Sequence, residues 1–256
     1  MQLQRHHNDR PLISIITIVL NGDKYLEQTI QSVIYQSYKK IEYIVIDGAS
    51  TDNSLKIINN YKSKIDCCLS EKDDGIADAM NKGIKLASGD YVMFLHADDY
   101  LWDRQCIALT IPLLKESIDL LICDIIFGKN NNRIKPRGFT FWFRFRDGIN
   151  HQGLLCRKAL FEELGIFDIN LKITMDYEWL LRAYYNRCSI QYAPIIMACM
   201  RDTGISSKTD WPALKQRLDE DKISQYRHCH SFFMRQFYNV FWLTYMPFKY
   251  IKSKLM

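Results

Sequence analysis

Short apolar segments alternate with amphipathic segments along the first hundred residues of the chain. Runs rich in β-branched and aromatic residues predict buried strands at residues 12–20, 41–46, 67–69 and 91–95. Between these runs, apolar residues recur at helical spacing, most clearly at Ile76, Ala79, Met80, Gly83, Ile84 and Ala87. This alternation predicts βαβ units, which build a largely parallel sheet covered by helices.

The second half of the chain is less regular. Periodicity predicts helices over residues 104–115, 158–164, 176–185 and 211–226, and strands over residues 120–127, 154–157 and 190–200. Residues 129–147 predict a loop or hairpin. Within that segment, Phe141, Phe143 and Phe145 alternate with polar or bulky neighbours, which favours a strand with one buried face. The mixture of arginines and aromatic residues is also compatible with binding an anionic acceptor or single-stranded nucleic acid.

Carboxylates follow two of the predicted strands. Asp47 follows the second strand, and Asp98 and Asp99 follow the fourth, where parallel sheets bind their ligands. Adjacent carboxylates repel each other unless a cation or hydrogen-bond donors offset the charge, and Mg²⁺ commonly binds one or two carboxylates together with substrate phosphates. A solvated turn or a helix cap is the structural alternative for this dipeptide. The chain contains no GxGxxG, GxxxxGK[ST] or GxSxG motif, which disfavours dinucleotide, P-loop and hydrolase sites.

Three ordered segments resemble the nucleotide-sugar-binding half of the family 2 glycosyltransferases. They are SIITIVLNGDKYLEQTIQSVIYQSY, EYIVIDGASTDNS and DDGIADAMNKGIKLASGDYVMFLHADD. The resemblance implies an α/β fold of the GT-A type, with a Rossmann-like, mostly parallel sheet flanked by helices. We expect a glycosyltransferase domain over residues 1–221, with a nucleotide-sugar half at about 11–100 and an acceptor half at about 101–221, and then a basic, aromatic helical tail over residues 222–256.

The resemblance also implies roles for single residues in binding the sugar nucleotide. Thr17 and Asp47 would line the nucleotide pocket, with the Asp47 carboxylate accepting a hydrogen bond from the base. Asp98 would contact the ribose or the sugar. Asp74 and Asp78 would face the sugar nucleotide, but a helix cap and a solvated helix face explain these two residues at least as well.

Asp99 would bind the metal, Mn²⁺ or Mg²⁺, as the metal carboxylate of a DxD-type motif. The motif departs from the common family pattern, because Ala97 occupies its middle position and His96 stands where many members have Asp or Asn.

Further segments resemble the acceptor half of polysaccharide-building members more weakly. The family places its general base at the start of the helix that corresponds to MDYEWLLRA, which implies that Asp176 is the catalytic base. A first-turn carboxylate favoured by the helix dipole is the structural alternative. His151 and Gln152 would lie on the acceptor or phosphate side of the site. Arg201 and Ser206-Ser207 resemble a loop that closes near the diphosphate.

Charge is distributed unevenly along the chain. Of 34 Lys and Arg residues, six lie after residue 221, and none of the 29 Asp and Glu residues does, so the preceding part carries 28 basic and 29 acidic residues. A nearly neutral domain lacks the basic field of a nucleic-acid-binding protein. The tail combines an apolar arc with a lysine-rich end, which is typical of an interfacial membrane helix. The arc consists of Phe233, Phe237, Val240, Phe241 and Tyr245, and Lys249, Lys252 and Lys254 follow it.

A tail helix that docks on the domain, or on a second subunit to form a homodimer, is the alternative to membrane binding. The eight cysteines form no CxxC pair, residues 1–10 contain no apolar signal-peptide region, and no apolar run reaches the ~18 residues of a membrane span. These features predict a cytoplasmic protein on the inner face of the plasma membrane.

The resemblance therefore implies an inverting, metal-dependent glycosyltransferase. It would move a hexose from a nucleoside diphosphate sugar, with a UDP-sugar as the expected donor, to a polyprenyl-diphosphate-linked saccharide in cell-surface polysaccharide or lipopolysaccharide synthesis. A nucleotidyltransferase and a non-catalytic, nucleotide-sugar-binding membrane adaptor are the alternative functions.

Overall fold

In the computed structural model, which describes residues 10–204, 207–208 and 210–255, nine strands join in one sheet. The strands are β1 (Ile13–Val19), β2 (Ile41–Asp47), β3 (Cys67–Ser70), β4 (Tyr91–Phe94), β5 (Tyr100–Leu101), β6 (Leu120–Phe127), β7 (Asn132–Ile134), β8 (Leu154–Arg157) and β9 (Ile190–Met200). Their order across the sheet is β3-β2-β1-β4-β8-β6-β9-β5, and β7 pairs with β6.

Helices cover both faces of this sheet. They are α1 (Asp23–Ile34), α2 (Ser54–Asn60), α3 (Ile76–Leu86), α4 (Cys106–Thr110), α5 (Leu160–Glu163), α6 (Met175–Tyr185), α7 (Trp211–Arg227) and α8 (Phe232–Leu255). Side chains of β1 alternate between two cores: Ile13 and Ile15 pack with α1, α2 and α4, whereas Ile16 and Ile18 pack with α3 and α6.

The first four strands confirm the predicted βαβ pattern. β1 pairs in parallel with β2 and β4, and β2 pairs in parallel with β3. In this register Val19 lies beside Asp47, and Asp47 lies beside Ser70, so the carboxyl ends of three strands meet at one edge. The second half adds β8 antiparallel to both β4 and β6, and β9 parallel to β6. Most paired residues belong to parallel pairs, which confirms the predicted fold class.

Two predicted segments differ from the structure. The helix predicted over residues 104–115 ends as an α-helix at Thr110 and continues only as a 3-10 turn, because Pro112 has no N–H to donate and its ring crowds the preceding turn. The strand favoured around Phe141 is wrong, since Phe141–Arg144 form a 3-10 turn. Its N–H groups bond locally, as from Phe143 to Thr140, and Phe143 is buried while Phe141 is exposed.

The C-terminal helices dock on the domain. The boundary predicted at residues 221/222 falls inside helix α7, which continues to Arg227. α8 packs against α7 through a small apolar core, in which Trp242 donates a 2.9 Å hydrogen bond from Nε1 to Gln225 Oε1. The buried members of this core are Leu214, Leu218, Met234, Tyr238 and Trp242.

The outward face of α8 remains apolar and uncovered. Phe233, Phe237 and Val240 are 77%, 63% and 62% exposed, whereas Phe241 and Tyr245, predicted to share their arc, turn inward against the core of the tail. None of the helices in the described part of the chain combines the length and hydropathy needed to cross a membrane. Residues 1–9, where no signal sequence is predicted, lie outside the described residues.

Candidate active site

A buried carboxylate lies just beyond the end of β4. Asp99 is 2% exposed, and its two oxygens accept hydrogen bonds from the backbone N–H of Arg201 at 2.9 Å and from Gln152 Nε2 at 2.8 Å. Burial, and then the charge of Asp98, raises the pKa of Asp99 to about 7, although the two hydrogen bonds act in the opposite direction. A nearby cation would favour the ionised form of this carboxyl group.

The second carboxylate, Asp176, lies in the first turn of α6. Its Oδ2 is 2.9 Å from Nδ1 of His151, and its Oδ1 accepts a hydrogen bond from the N–H of Tyr177. Burial lowers the pKa of His151, but the hydrogen bond and charge of Asp176, followed by the charge of Asp99, raise it overall. An ionised carboxylate only accepts hydrogen bonds, so Nδ1 of His151 is the donor in this pair.

A glycine allows His151 and Gln152 to reach this position. They lie in the 3-10 turn His151–Gly153, which packs directly against β6. A Cβ atom on Gly153 would lie 2.6 Å from the carbonyl oxygen of Cys123, so the turn approaches β6 more closely than any other residue would permit.

Several buried polar atoms at this site have no partner within the described residues. They are Nε2 of His96, Nε2 of His151 and Oε1 of Gln152. The rings of His96 and His151 lie 4.5 Å apart between centroids, and burial, followed by the charge of His151, holds the pKa of His96 well below its usual value. Buried polar atoms are nearly always hydrogen-bonded in folded proteins, so these atoms indicate a place for a ligand, a metal or water.

The donor atoms present suit Mn²⁺ or Mg²⁺ as part of a larger complex. Asp99 offers carboxylate oxygen, the preferred ligand of these hard cations, and Gln152 offers an unpartnered amide oxygen. No three His, Cys, Asp or Glu side chains in the described part of the chain are grouped to hold a metal ion. A cation at Asp99 would therefore complete its coordination with oxygens from a bound substrate and water.

Six residues predicted from separate parts of the chain line one small cavity, which we call the inner cavity. Its volume is about 60 Å³, and its wall includes Asp98, Asp99, His151, Gln152, Asp176 and Arg201. A second cavity of about 930 Å³, which we call the α8 cleft, shares His151, Gln152 and Asp176 with it and extends to α8. Asp176 thus lies on the wall between two spaces. Ser207 lines the α8 cleft, and Ser206 lies outside the described residues.

Two predicted nucleotide-pocket residues do not line either cavity. Thr17 lies within β1, is fully buried, and its hydroxyl oxygen accepts a 3.1 Å hydrogen bond from the hydroxyl of Tyr43. Strand alternation directs its side chain into the core with Ile15, so the structure does not bring Thr17 to the site. Asp47 lies at the strand edge but is also fully buried, where it accepts a 2.6 Å hydrogen bond from Ser70.

Asp78 binds backbone and side-chain groups near the start of α3, whereas Asp74 takes part only through its backbone, and no side chain among the described residues caps the helix at Gly75. The carboxylate of Asp78 accepts a hydrogen bond from the N–H of Asp74 and lies 3.3 Å from Nζ of Lys82. Burial opposes these interactions, but they lower the pKa of Asp78 overall. The carbonyl of Asp74 accepts a 2.9 Å hydrogen bond from Lys172, and neither aspartate lines the inner cavity or the α8 cleft.

The side chain of Arg201 holds the loop after β9 in place at the site. Its guanidinium lies over the rings of Tyr25 and Tyr100, at 4.2 Å and 4.8 Å from their centroids. It also donates hydrogen bonds to the carbonyl of Asp98 and to the side chain of Gln28. These contacts position Asp98 and Asp99, so Arg201 stabilises the predicted metal motif.

Glu220 binds the segment that precedes Asp176. The sequence patterns do not single out this buried residue. Glu220 of α7 is 6% exposed, and its carboxylate accepts hydrogen bonds from the N–H groups of Lys172, Ile173 and Thr174 at 3.1, 2.8 and 2.9 Å. These three residues directly precede α6. A glutamate in a polar helix gives no sequence signal for such a role, because its partners lie 46 to 48 residues away.

The sheet, the buried carboxylate beyond β4 and the second carboxylate across a cavity define an α/β protein of the GT-A type. A family model described as "Glycosyl transferase family 2" matches residues 14–182. This chain therefore belongs to glycosyl transferase family 2.

Known relatives agree with this assignment. A PGL/p-HBAD biosynthesis glycosyltransferase of Mycobacterium tuberculosis is 29% identical over 205 residues, which cover 78% of this chain and 80% of the relative. An uncharacterized glycosyltransferase of Rickettsia typhi is 32% identical over 183 residues, which cover 66% of this chain and 57% of the relative.

Solved structures share the fold at low sequence identity. Mannosyltransferase PcManGT from Pyrobaculum calidifontis, in complex with GDP-Man and Mn²⁺, has a TM-score of 0.70 at 17% identity, covering 97% of this chain and 74% of that chain. S. aureus TarS 1-349, in complex with UDP-GlcNAc, has a TM-score of 0.64 at 20% identity, covering 75% of this chain. This chain spans 59% of that TarS chain, which is less than two thirds of its length.

The Glu220→Gln variant tests whether α7 positions the helix that carries Asp176. One amide oxygen cannot replace two carboxylate oxygens, so at least one buried N–H group before α6 loses its acceptor, at a cost on the order of 1–3 kcal/mol. We expect a lower free energy of unfolding in urea and a lower kcat with little change in the KM for the sugar nucleotide. The neighbouring Asp219→Asn variant is the control, because Asp219 is exposed and contacts only Lys215 among the described residues. Equal kcat values for the two variants would contradict the positioning role.

Proposed function

We propose that this family 2 glycosyltransferase moves a hexose from a nucleoside diphosphate sugar, with UDP as the nucleotide, to a hydroxyl group of a lipid-linked saccharide. The proposed acceptor is a polyprenyl-diphosphate-linked saccharide in the synthesis of a cell-surface polysaccharide. One observation carries the proposal: Asp176 lies on the wall shared by the inner cavity and the α8 cleft. A general base must stand between the sugar donor and the acceptor, and the position of Asp176 on both cavity walls supports that role.

The transfer breaks the bond between the anomeric carbon and the diphosphate and forms a bond to the acceptor oxygen. Asp176 accepts the proton of the attacking hydroxyl group, a contribution of typically ~10²–10⁴-fold in rate. His151 keeps the carboxylate in place through its 2.9 Å hydrogen bond. With a single base and direct attack from the face opposite the leaving group, the configuration at the anomeric carbon inverts.

Asp99 is the residue proposed to hold Mn²⁺ or Mg²⁺, and Asp98 is proposed to contact the ribose or sugar. When bound, the cation supplies charge that offsets the developing negative charge of the leaving diphosphate. The side chain of Asp98 already accepts a 2.9 Å hydrogen bond from Thr203, so its orientation is set by the loop after β9. Asp47 remains the proposed contact of the base, because it lies at the joint edge of β1, β2 and β3.

The names of related proteins support the proposed substrates. The structures similar to this chain include complexes with UDP-GlcNAc and with GDP-Man and Mn²⁺, which supports a nucleoside diphosphate sugar and a divalent cation. A nucleotidyltransferase would belong to a different family. A non-catalytic adaptor would not require Asp176 beside the presumed acceptor, and release of UDP from a sugar nucleotide in the presence of an acceptor distinguishes the two cases.

The outer face of α8 supports a peripheral position on the cytoplasmic side of the plasma membrane. Five of its exposed apolar side chains recur at helical spacing and form one stripe, as in interfacial helices, and Phe232, Leu243 and Tyr250 are exposed beside it. The stripe consists of Phe233, Phe237, Val240, Phe248 and Ile251. Lys254 near the end of the helix adds positive charge, which suits anionic lipid headgroups. The alternative to membrane binding is a homodimer that buries the same stripe, and the flotation test below distinguishes the two.

The Asp176→Asn variant tests the general base. We expect loss of sugar transfer by at least ~10²-fold, because the amide cannot accept the proton, while UDP affinity stays near the wild-type value. Turnover is measured as UDP release, and affinity by calorimetry. Asp219→Asn serves as the matched control on an exposed position. A fall in UDP affinity as large as the fall in turnover would refute the role of Asp176 as base.

Metal removal tests the role of Asp99. We expect EDTA to abolish transfer and Mn²⁺ or Mg²⁺ to restore it, because two adjacent carboxylates and a diphosphate need a cation to offset their charge. The Asp99→Asn variant should keep its fold but no longer respond to added metal. Full activity of the wild-type enzyme in EDTA would overturn this assignment.

Liposome flotation tests the apolar stripe on α8. A Phe233→Ser/Phe237→Ser variant should lose binding to phosphatidylglycerol vesicles and keep its melting temperature, because both side chains are exposed. A Gln236→Ser/Asn239→Ser variant, changed on polar positions of the same helix, should float like the wild type. If neither wild type nor variants bind vesicles, and the wild type alone is dimeric by light scattering, the stripe is a subunit interface.

A further inference from the structure

The α8 cleft connects the proposed catalytic base to the C-terminal helix. At one end its wall contains His151 and Asp176, which also line the inner cavity. At the other end its wall contains Tyr245, Lys249 and Lys252, which lie on the last turns of α8. The tail is therefore part of the cavity that begins at Asp176. At about 930 Å³, the cavity is near the upper end of the range of ~300–1,000 Å³ for small-molecule sites.

Acidic side chains group at the end of this cleft that contains the proposed base. Asp147, Asp176 and Asp221 lie together there, and burial, followed by the charge of Asp176, raises the pKa of Asp147 to about 7. Burial, followed by the charge of Asp147, also raises the pKa of Asp221 well above its usual value, although the charge of Arg217, which lines the same cleft, acts in the opposite direction. A raised pKa favours the neutral carboxyl group, and neutral carboxyl groups are suitable hydrogen-bond partners for a hydroxyl-bearing saccharide.

Cations line the wall that α8 provides. Lys249 and Lys252 are three residues apart on one face of the helix, and Arg146, on the loop before β8, also lines the cleft. None of these three side chains has a salt-bridge partner among the residues that the structure describes. Lys249 instead lies over the ring of Tyr245, at 5.4 Å from its centroid. Unpaired cations around a cavity attract an anionic ligand.

Apolar side chains form another part of the cleft wall, and two of them belong to α8. The apolar lining residues include Phe127, Ile134, Phe145, Trp242 and Tyr245. A ligand with a hydroxyl-rich part, an anionic group and an apolar group therefore suits the side chains that line this cleft.

We propose that Lys249 and Lys252 of α8, together with Arg146, form the binding subsite for the phosphate that links the acceptor saccharide to its lipid. The saccharide then extends towards Asp176, and the lipid leaves the cleft along the apolar side chains near α8. This inference rests on the proposed lipid-linked acceptor. It adds that the C-terminal helix recognises the acceptor directly, in addition to any contact with a membrane.

Binding of dodecyl diphosphate, a soluble mimic of the lipid diphosphate, tests the subsite. The quantity measured is the Kd of the full-length protein, by calorimetry below the micelle concentration. Loss of two charge-assisted contacts in a Lys249→Gln/Lys252→Gln variant should raise this Kd on the order of tenfold or more. Lys254→Gln is the matched control, because Lys254 is on the same helix but does not line the cleft, and its Kd should equal that of the wild type. Dodecyl maltoside, which has no phosphate, should not distinguish the variants.

Flotation with phosphatidylglycerol vesicles separates acceptor recognition from attraction to lipid headgroups. The double variant should still float like the wild type, because the apolar stripe is unchanged. Equal Kd values for dodecyl diphosphate in the wild type and the double variant would overturn the proposal. It would also be overturned if the double variant and Lys254→Gln both lost flotation while the Kd stayed unchanged. Thermal unfolding of each variant verifies that the fold is intact. The Asp176→Asn assay reports on the proposed transfer itself, so the two hypotheses can fail separately.

Discussion

The buried carboxylate of Asp99 joins parts of the chain that lie far apart in sequence. It follows β4, yet its oxygens accept hydrogen bonds from Gln152, just before β8, and from the backbone of Arg201, just after β9. Removing a charged group from water is costly unless hydrogen bonds or a cation compensate. The same contacts that compensate Asp99 bring the loop after β9 and the turn before β8 to the end of β4. The geometry of the site thus depends on one side chain that three segments of the chain share.

Sequence periodicity was sufficient to predict the first half of the fold, because its information is local. Each strand from β1 to β4 is a short apolar run, and each intervening helix carries an apolar face that matches the sheet. The position of Thr17 could not be derived in this way: a family motif implied a pocket, but strand alternation directs its side chain into the core beside Tyr43. The 3-10 turn at Phe141 was missed because alternation over three residues also occurs in turns that bury only one ring.

Sequence motifs predict which residues group at the site. They do not predict the residues that hold these site residues in place. Asp98, Asp99, His151 and Asp176 each belong to a recognisable segment, and the structure brings them to one cavity. Glu220 belongs to no such segment, since its three partners are backbone N–H groups, which leave no trace in residue identity. Residues that hold a catalytic helix through its backbone are therefore visible only once the helices are assembled.

The docking of α8 changes the meaning of the charge imbalance along the chain. In sequence, the lysines of the tail suggest only attraction to a surface. In the structure, α8 turns Tyr238 and Trp242 into its contact with the domain, Phe233 and Phe237 outward, and Lys249 and Lys252 into the wall of the α8 cleft. A helix with three such faces cannot be replaced by a flexible basic segment, because only a docked helix keeps the two lysines in the wall of the cavity that Arg146 and Asp176 also line. The position of the cations, rather than their number, is what the fold determines.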